Sequence, residues 1–311
     1  MNVIDLHCDA LLKLQEAKGQ LSFKDSKELN VNLSRLKEGK VKIQAFAIFL
    51  DPAIVVEEKY AAALEQITYY QEEVLAKNPE MKQIKQWEDI HTLQESEIGS
   101  FLTLEGVEAI GNDLTKLDHL LDLGVLSVGL TWNPANLAAD GIQEPRGGGL
   151  TSFGFEIVKR LNERKVFTDV AHLSVKGFWD VMEAAKYPIA THSNVLRLCR
   201  HVRNLNDDQI KALVKRDAMI HVVYNPPFTV DEGELKGAAI PDLVRHIEAL
   251  VDLGAVANIG FGSDFDGISS HIEGLTHAGE VQNLILALCE TFTKEEVAGF
   301  TGRNFLEHLP K

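Results

Sequence analysis

Several short stretches of this 311-residue chain carry residue types that hold metal ions: Asp5-Leu6-His7-Cys8-Asp9, then Glu105, His172, His192 and Asp264. His7 and Asp9 stand two apart at the end of an apolar run. On a strand, side chains alternate faces with a period of two, so both point the same way and one cation can take both. Alone, a His-x-Asp pair is common and usually an ordinary hydrogen-bonded feature. Here it has company: Glu105 follows the run Ser100 to Leu104, His172 follows Val166 to Val170, His192 closes Ile189 to His192, and Asp264 comes just after Asn258 to Gly262. Imidazoles and carboxylates with no thiolate suit zinc or a similar divalent ion. Cys8 faces away from its two neighbours by the same alternation and reads as a packed residue.

Eight such runs are predicted strands: Val3 to Asp5, Ile43 to Phe49, Ser100 to Leu104, Leu126 to Thr131, Val166 to Val170, Ile189 to His192, Ala218 to Tyr224 and Asn258 to Gly262. Between them lie segments with helical spacing of apolar residues, among them Glu57 to Ala76, Leu114 to Leu123, Phe155 to Glu163, Val175 to Ala185, Asp207 to Lys215 and Pro241 to Leu253. Asn206-Asp207-Asp208 reads as a helix start, and Gly124 and Gly254 read as helix stops. This alternation predicts an α/β protein, a (β/α)8 TIM barrel with elaborated βα loops, in a single domain spanning 1–311. In such a barrel the C-terminal strand ends open at one mouth, so ligands scattered along the sequence can meet there. The long segments Cys8 to Lys40, Trp132 to Thr151 (with Arg146-Gly147-Gly148-Gly149) and Asn225 to Ala239 each follow a predicted strand and are expected to build the site.

The net charge of −15, from 46 acidic and 31 basic residues, repels phosphate backbones and anionic lipid headgroups, so neither nucleic acid nor membrane is an expected partner. Met1 to Asp9 is acidic and does not read as a signal peptide, and no apolar stretch approaches a membrane span. Three cysteines, odd in number and unpaired in pattern, fit a reducing compartment, and a cytoplasmic setting is expected. Oligomeric state is not readable, although apolar helix faces around barrels commonly support homodimers. Seven histidines, His91, His119, His201, His246, His271, His277 and His308, read as surface or packing residues; His221, inside a strand, reads as a core histidine with a supporting role near the site left open.

Taken in order, DLHCD, LEG, DVAH, THSN and GSDFDG resemble the renal (membrane) dipeptidase family of the amidohydrolase superfamily over nearly the whole chain. The resemblance implies a zinc-dependent hydrolase of small dipeptides, of the soluble bacterial type, whose substrates include those with a C-terminal D-residue. It implies two zinc ions, His7 and Asp9 on one, His172 and His192 on the other, bridged by Glu105 and a water or hydroxide, with Asp264 as acid/base. Arg203 matches the arginine that receives the substrate carboxylate, and Tyr224 matches a tyrosine that assists binding or simply packs. Where the family has an oxyanion histidine, this chain has Thr131-Trp132-Asn133-Pro134-Ala135-Asn136. Trp132 takes the place, leaving Asn133 or Asn136 as a neutral donor, or the metals alone. Another metal-dependent amidohydrolase, such as a lactonase or cyclic amide hydrolase, and a catalytically silent small-ligand-binding barrel are the alternatives.

Overall fold

The computed structural model describes residues 1–231 and 237–311. Along it run β1 (Val3–Asp5), β2 (Val41–Phe49), β3 (Met81–Gln83), β4 (Ile98–Glu105), β5 (Val125–Gly129), β6 (Phe167–Asp169), β7 (Pro188–Ile189), β8 (Ile220–Val222) and β9 (Ile259–Phe261), with helices between them. Eight correspond to the predicted runs. The ninth, β3, pairs in parallel with β4, Met81 opposite Ile98. Its sequence, Met-Lys-Gln, is too short and polar to announce a strand.

Contacts divide the chain into two units. The first comprises Met1–Ala10, Phe23–Gln44 and Ala190–Leu309; the second comprises Leu11–Ser22, Ala45–Ile189 and Pro310–Lys311. Within the first, β8 pairs with β9 (Ile220 opposite Ile259), β9 with β1 (Phe261 opposite Asp5) and β1 with the start of β2 (Val3 opposite Val41), all in parallel. Asn304 on the C-terminal helix Asn304–Glu307 donates to the Ile259 carbonyl at 3.0 Å, and Phe300 and Phe305 are fully buried beside it. Within the second, β4, β5, β6 and β7 follow one another in parallel. All of β5, and all of β4 but its last residue, is buried; strands covered on both faces read as continuous apolar runs, which is why they stood out in sequence.

The helices follow their predicted starts closely. Asn206 accepts from the Gln209 amide at 2.9 Å and Gln209 returns a bond to the Asn206 amide, a capping box opening Asp207–Lys215. Gly124 and Gly254 take the positive φ of helix stops, 106° and 90°. The helix expected over Glu57 to Ala76 runs Val56–Tyr69 and continues in wider π turns over Tyr70–Ala76.

The long segments after the strands are ordered by carboxylates. In the first unit, Asp266 accepts from the Asn30 and Val31 amides at 2.7 and 2.9 Å. In the second, Asp140 accepts from Arg146 and from the Gly148 amide, and Ser174 donates to the Gly148 carbonyl at 2.5 Å. The glycine run 147–149 is structural for that reason: a Cβ on Gly148 would sit 2.7 Å from Asp140 Oδ2, and one on Gly149 1.8 Å from Asp180 Oδ2. Residues 232–236 of the predicted loop Asn225 to Ala239 lie outside the described residues.

Candidate metal centre

In the first unit the residues after β1 and β9 converge. His7 Nε2 lies 3.5 Å from Asp9 Oδ2 and 3.7 Å from Asp264 Oδ1, and the three form one group of potential ligand atoms. The rings of His7 and His192 are 4.0 Å apart, centre to centre. His7, Asp9 and His192 are all buried, and Asp264 is nearly so, its side chain 14% exposed. Two ligands bound tetrahedrally to one zinc at its usual bond lengths stand about 3.4 Å apart. Contacts of 3.5 and 3.7 Å are long for hydrogen bonds and right for a shared ion, so the donor set fits a divalent cation.

The backbone is built to bring these atoms together. Asp5 accepts from both the amide and the hydroxyl of Ser263, at 2.8 and 2.6 Å, tying the start of the Asp5-to-Asp9 motif to the residue before Asp264. Burial pushes the Asp5 carboxyl above its ordinary range, and the Ser263 bonds oppose that shift. Asp264 has a left-handed φ of 64°. Gly267 closes the motif because a Cβ there would meet Asp9 Oδ2 at 2.2 Å and Asp264 Oδ1 at 2.7 Å. Gly262 is required by Thr191, whose carbonyl oxygen a Cβ would meet at 1.7 Å; that approach sets the chain just before His192. Cys8 is fully buried, its thiol pushed well up by desolvation, as a packed residue should be.

In the second unit, Glu105 at the end of β4 lies 2.8 Å from His172 Nε2, and His172 Nδ1 lies 2.8 Å from Asn133 Oδ1. With its proton on Nδ1, His172 donates to Asn133 and offers the Nε2 lone pair as a ligand. His172 also sits at a left-handed φ, 67°. The Trp132 ring packs edge-on against Phe49 and 6.3 Å from the His172 ring. Asn133 is expected as a donor toward substrate through its NH2; its oxygen meets a proposed metal ligand, a partner 39 residues away that no local pattern reveals. Asn136 is used up: it donates to Leu130 and Glu108 and accepts from the Ala138 and Ala139 amides.

Arg203, in the first unit, is 4% exposed, donates to the His192 carbonyl at 3.3 Å and lies over the Phe228 ring. His201, read as an ordinary histidine, supports it by accepting from the Arg203 amide at 3.2 Å, and burial followed by the Arg203 charge lowers its pKa. Tyr224 is buried between Phe261 and Phe265, with its phenol pushed well up by desolvation. His221 turns to Phe305 and donates to the Ala190 carbonyl, away from the ligand cluster. His246, also read as a packing residue, bridges the Val195 amide and the Thr229 carbonyl. Asp5, Ser263 and Asp266 sit inside the motifs with no signal of their own, and they hold backbone.

Comparison with known proteins places this geometry. The family model "Membrane dipeptidase (Peptidase family M19)" matches residues 1–311. An uncharacterized dipeptidase of Schizosaccharomyces pombe is 27% identical over 98% of this chain and 79% of its own length. Dipeptidase aclJ of Aspergillus oryzae is 32% identical over 68% of this chain and 51% of its own. The crystal structure of a dipeptidase described as a metallopeptidase of family M19 superposes with a TM-score of 0.91 at 25% identity, covering 99% of this chain and 98% of that one. A metallopeptidase from Rhodobacter sphaeroides, liganded with a phosphinate mimic of the dipeptide L-Ala-D-Ala, gives 0.92 at 24% identity, covering 99% of both chains. The predicted fold class, an α/β barrel of eight parallel strands, is therefore correct. Among the described residues no helix is long and apolar enough to cross a membrane. The chain belongs to the membrane dipeptidases, peptidase family M19, and is a metal-dependent hydrolase of peptide bonds.

Proposed function

We propose that this protein is a zinc-dependent dipeptidase that cleaves small dipeptides, including those with a C-terminal D-residue. The observation that carries the reading is the spacing of His7 Nε2 from Asp9 and Asp264, too long for hydrogen bonds and suited to a shared cation. His7 and Asp9 would hold one ion, His172 and His192 a second, with Glu105 shared between them. When bound, such a pair lowers the pKa of a water toward neutrality and polarises the scissile carbonyl.

The chain's own groups do the rest. Asp264 accepts a proton from the attacking water and delivers it to the departing amine. Arg203, held by the His192 carbonyl, clamps the substrate's terminal carboxylate through a bidentate pair. The Asn133 oxygen orients His172, which leaves its amide NH2 as a neutral donor toward the developing oxyanion. Trp132 walls the site beside His172, and the Tyr224 hydroxyl, which has no hydrogen-bond partner among the described residues, is a further contact for substrate. The inclusion of C-terminal D-residues draws support from the L-Ala-D-Ala mimic bound to the Rhodobacter sphaeroides metallopeptidase.

The test is hydrolysis of a panel of L,L and L,D dipeptides by the protein as purified, after chelation, and after zinc is restored. Cleavage that chelation abolishes and zinc restores is expected. A metal-loaded protein that cleaves lactones or cyclic amides and no dipeptide would overturn the substrate assignment.

A further inference from the structure

The second unit contains a cavity of about 700 Å³. It is walled by the loop after β2 (Ile54, Val55, Val56), Val107 after β4 and Leu137 after β5. Val55, Val56 and Leu137 are more than half exposed and form its apolar rim. Into this apolar space projects Lys59, only 8% exposed. Among the described residues its ammonium has no carboxylate within ion-pair distance and no hydrogen-bond partner.

The stem of Lys59 is covered while its ammonium opens onto the cavity, where a bound anion can meet it. The single acidic group on the cavity wall, Glu108, attracts Lys59 by charge but makes no direct ion pair with it. Its carboxyl accepts from Asn136 at 3.1 Å and folds back so closely that a Cβ on Gly106 would meet Oε2 at 2.2 Å. Burial raises the Glu108 pKa, and the Asn136 bond and the Lys59 charge oppose that shift. A second feature favours an anion. The helix Val56–Tyr69 begins at the cavity wall, and its N-cap, Val55, provides no side-chain bond to the first-turn amides.

We propose that this cavity binds a short aliphatic chain ending in a carboxylate, the chain against Ile54, Val56, Val107 and Leu137 and the carboxylate on Lys59. Two sources present that chemistry: a glutamyl side chain of a dipeptide substrate, or a free short-chain carboxylic acid. Val107 on the cavity wall comes two residues after Glu105 in the chain, which makes a substrate side chain one of the two sources to test.

Calorimetric titration of the intact protein with hexanoate, and with hexanamide as its neutral counterpart, tests this without relying on hydrolysis. Saturable binding of hexanoate and none of hexanamide is expected. Lys59→Met should weaken hexanoate by at least about tenfold, as loss of a charge-assisted bond does. Val56→Glu, at an exposed rim position, should weaken it too and serves if the Lys59 variant fails to fold. Equal binding of the two probes, no saturable binding, or affinity unchanged in a folded variant would overturn the proposal. If hexanoate competes with dipeptides and L-Glu-L-Ala has a lower KM than L-Gln-L-Ala in the wild type alone, the cavity is a substrate subsite; if hexanoate binds without changing KM, it serves a free acid. Failure of every dipeptide would refute the function proposed above while leaving the binding result standing.

Discussion

His172, Asp264 and Asp266 hold left-handed backbone, φ 67°, 64° and 69°, which costs a non-glycine residue roughly 1–3 kcal/mol each. Two of the three are residues assigned to the chemistry, and the third ties down Asn30 and Val31. Strain of this kind persists where surrounding bonds over-determine it. For His172 the bond is to Asn133 Oδ1, and Asn133→Ala should therefore loosen the imidazole as well as remove the proposed oxyanion donor. Zinc affinity in a competitive chelator titration is expected to fall by about 10- to 100-fold, the usual effect of deleting a partner of a metal-bound histidine. Unchanged affinity with a lower kcat would assign Asn133 to the oxyanion alone. At this scale the sequence was informative where chemistry is local: the two-residue spacing of His7 and Asp9 follows strand alternation although the ladder of β1 ends at Asp5 and only Cys8, fully buried, makes a further bridge, to Phe265. The Asn133 partner was hidden because it depends on a loop returning to a residue 39 positions on, and Asn136 was misread because its four bonds are all to its own loop and to Glu108.

The strands are shorter than the apolar runs that predicted them. Ile189 to His192 contributes ladder only over Pro188–Ile189, with Ala190 making a single bridge to Ile220, and Ala218 to Tyr224 narrows to Ile220–Val222. Burial, which sets the apolar run, continues past the last ladder bond, so hydrophobicity marks the strand's surroundings better than its ends. Helix starts were more legible, because a cap is a short-range hydrogen bond written in adjacent residues, as at Asn206 and Gln209. The residue directly after β9 is sensitive to a single change. Gly262→Ala places a methyl 1.7 Å from the Thr191 carbonyl, which is backbone and cannot swing aside. The expected loss is at least about 1–3 kcal/mol, as for overpacking, read as a lower urea midpoint. Metal affinity should fall with it, since Thr191 precedes His192. A variant as stable as wild type would mean that the two chain segments separate easily.

Stability of the molecule as a whole should carry the mark of its buried histidines. His221 is fully buried and its pKa is lowered to about 4, by desolvation first and the neighbouring His308 charge last, against 6.5 in an unfolded chain. Above pH 6.5 the imidazole is neutral in both states and stability is unaffected. As pH falls from 6.5 toward 4 only the unfolded chain takes up this proton, so stability declines through that window, by about 3 kcal/mol in all. Urea unfolding at pH 7 and pH 4.5 should show a smaller drop for His221→Gln than for wild type; equal drops would mean the site titrates normally when folded. The fold class was legible because eight βα repeats write one period many times over, while the meeting of ligands at strand ends follows from topology and from no single motif. The central claim, a cation pair served by Asp264, is tested most directly by measuring bound metal and dipeptide hydrolysis together for the wild type and for Asp264→Asn. Two metal equivalents in both proteins, with hydrolysis in the variant reduced by at least about 10²-fold, is the expected result. No bound metal after reconstitution, or full activity in the variant, would contradict it.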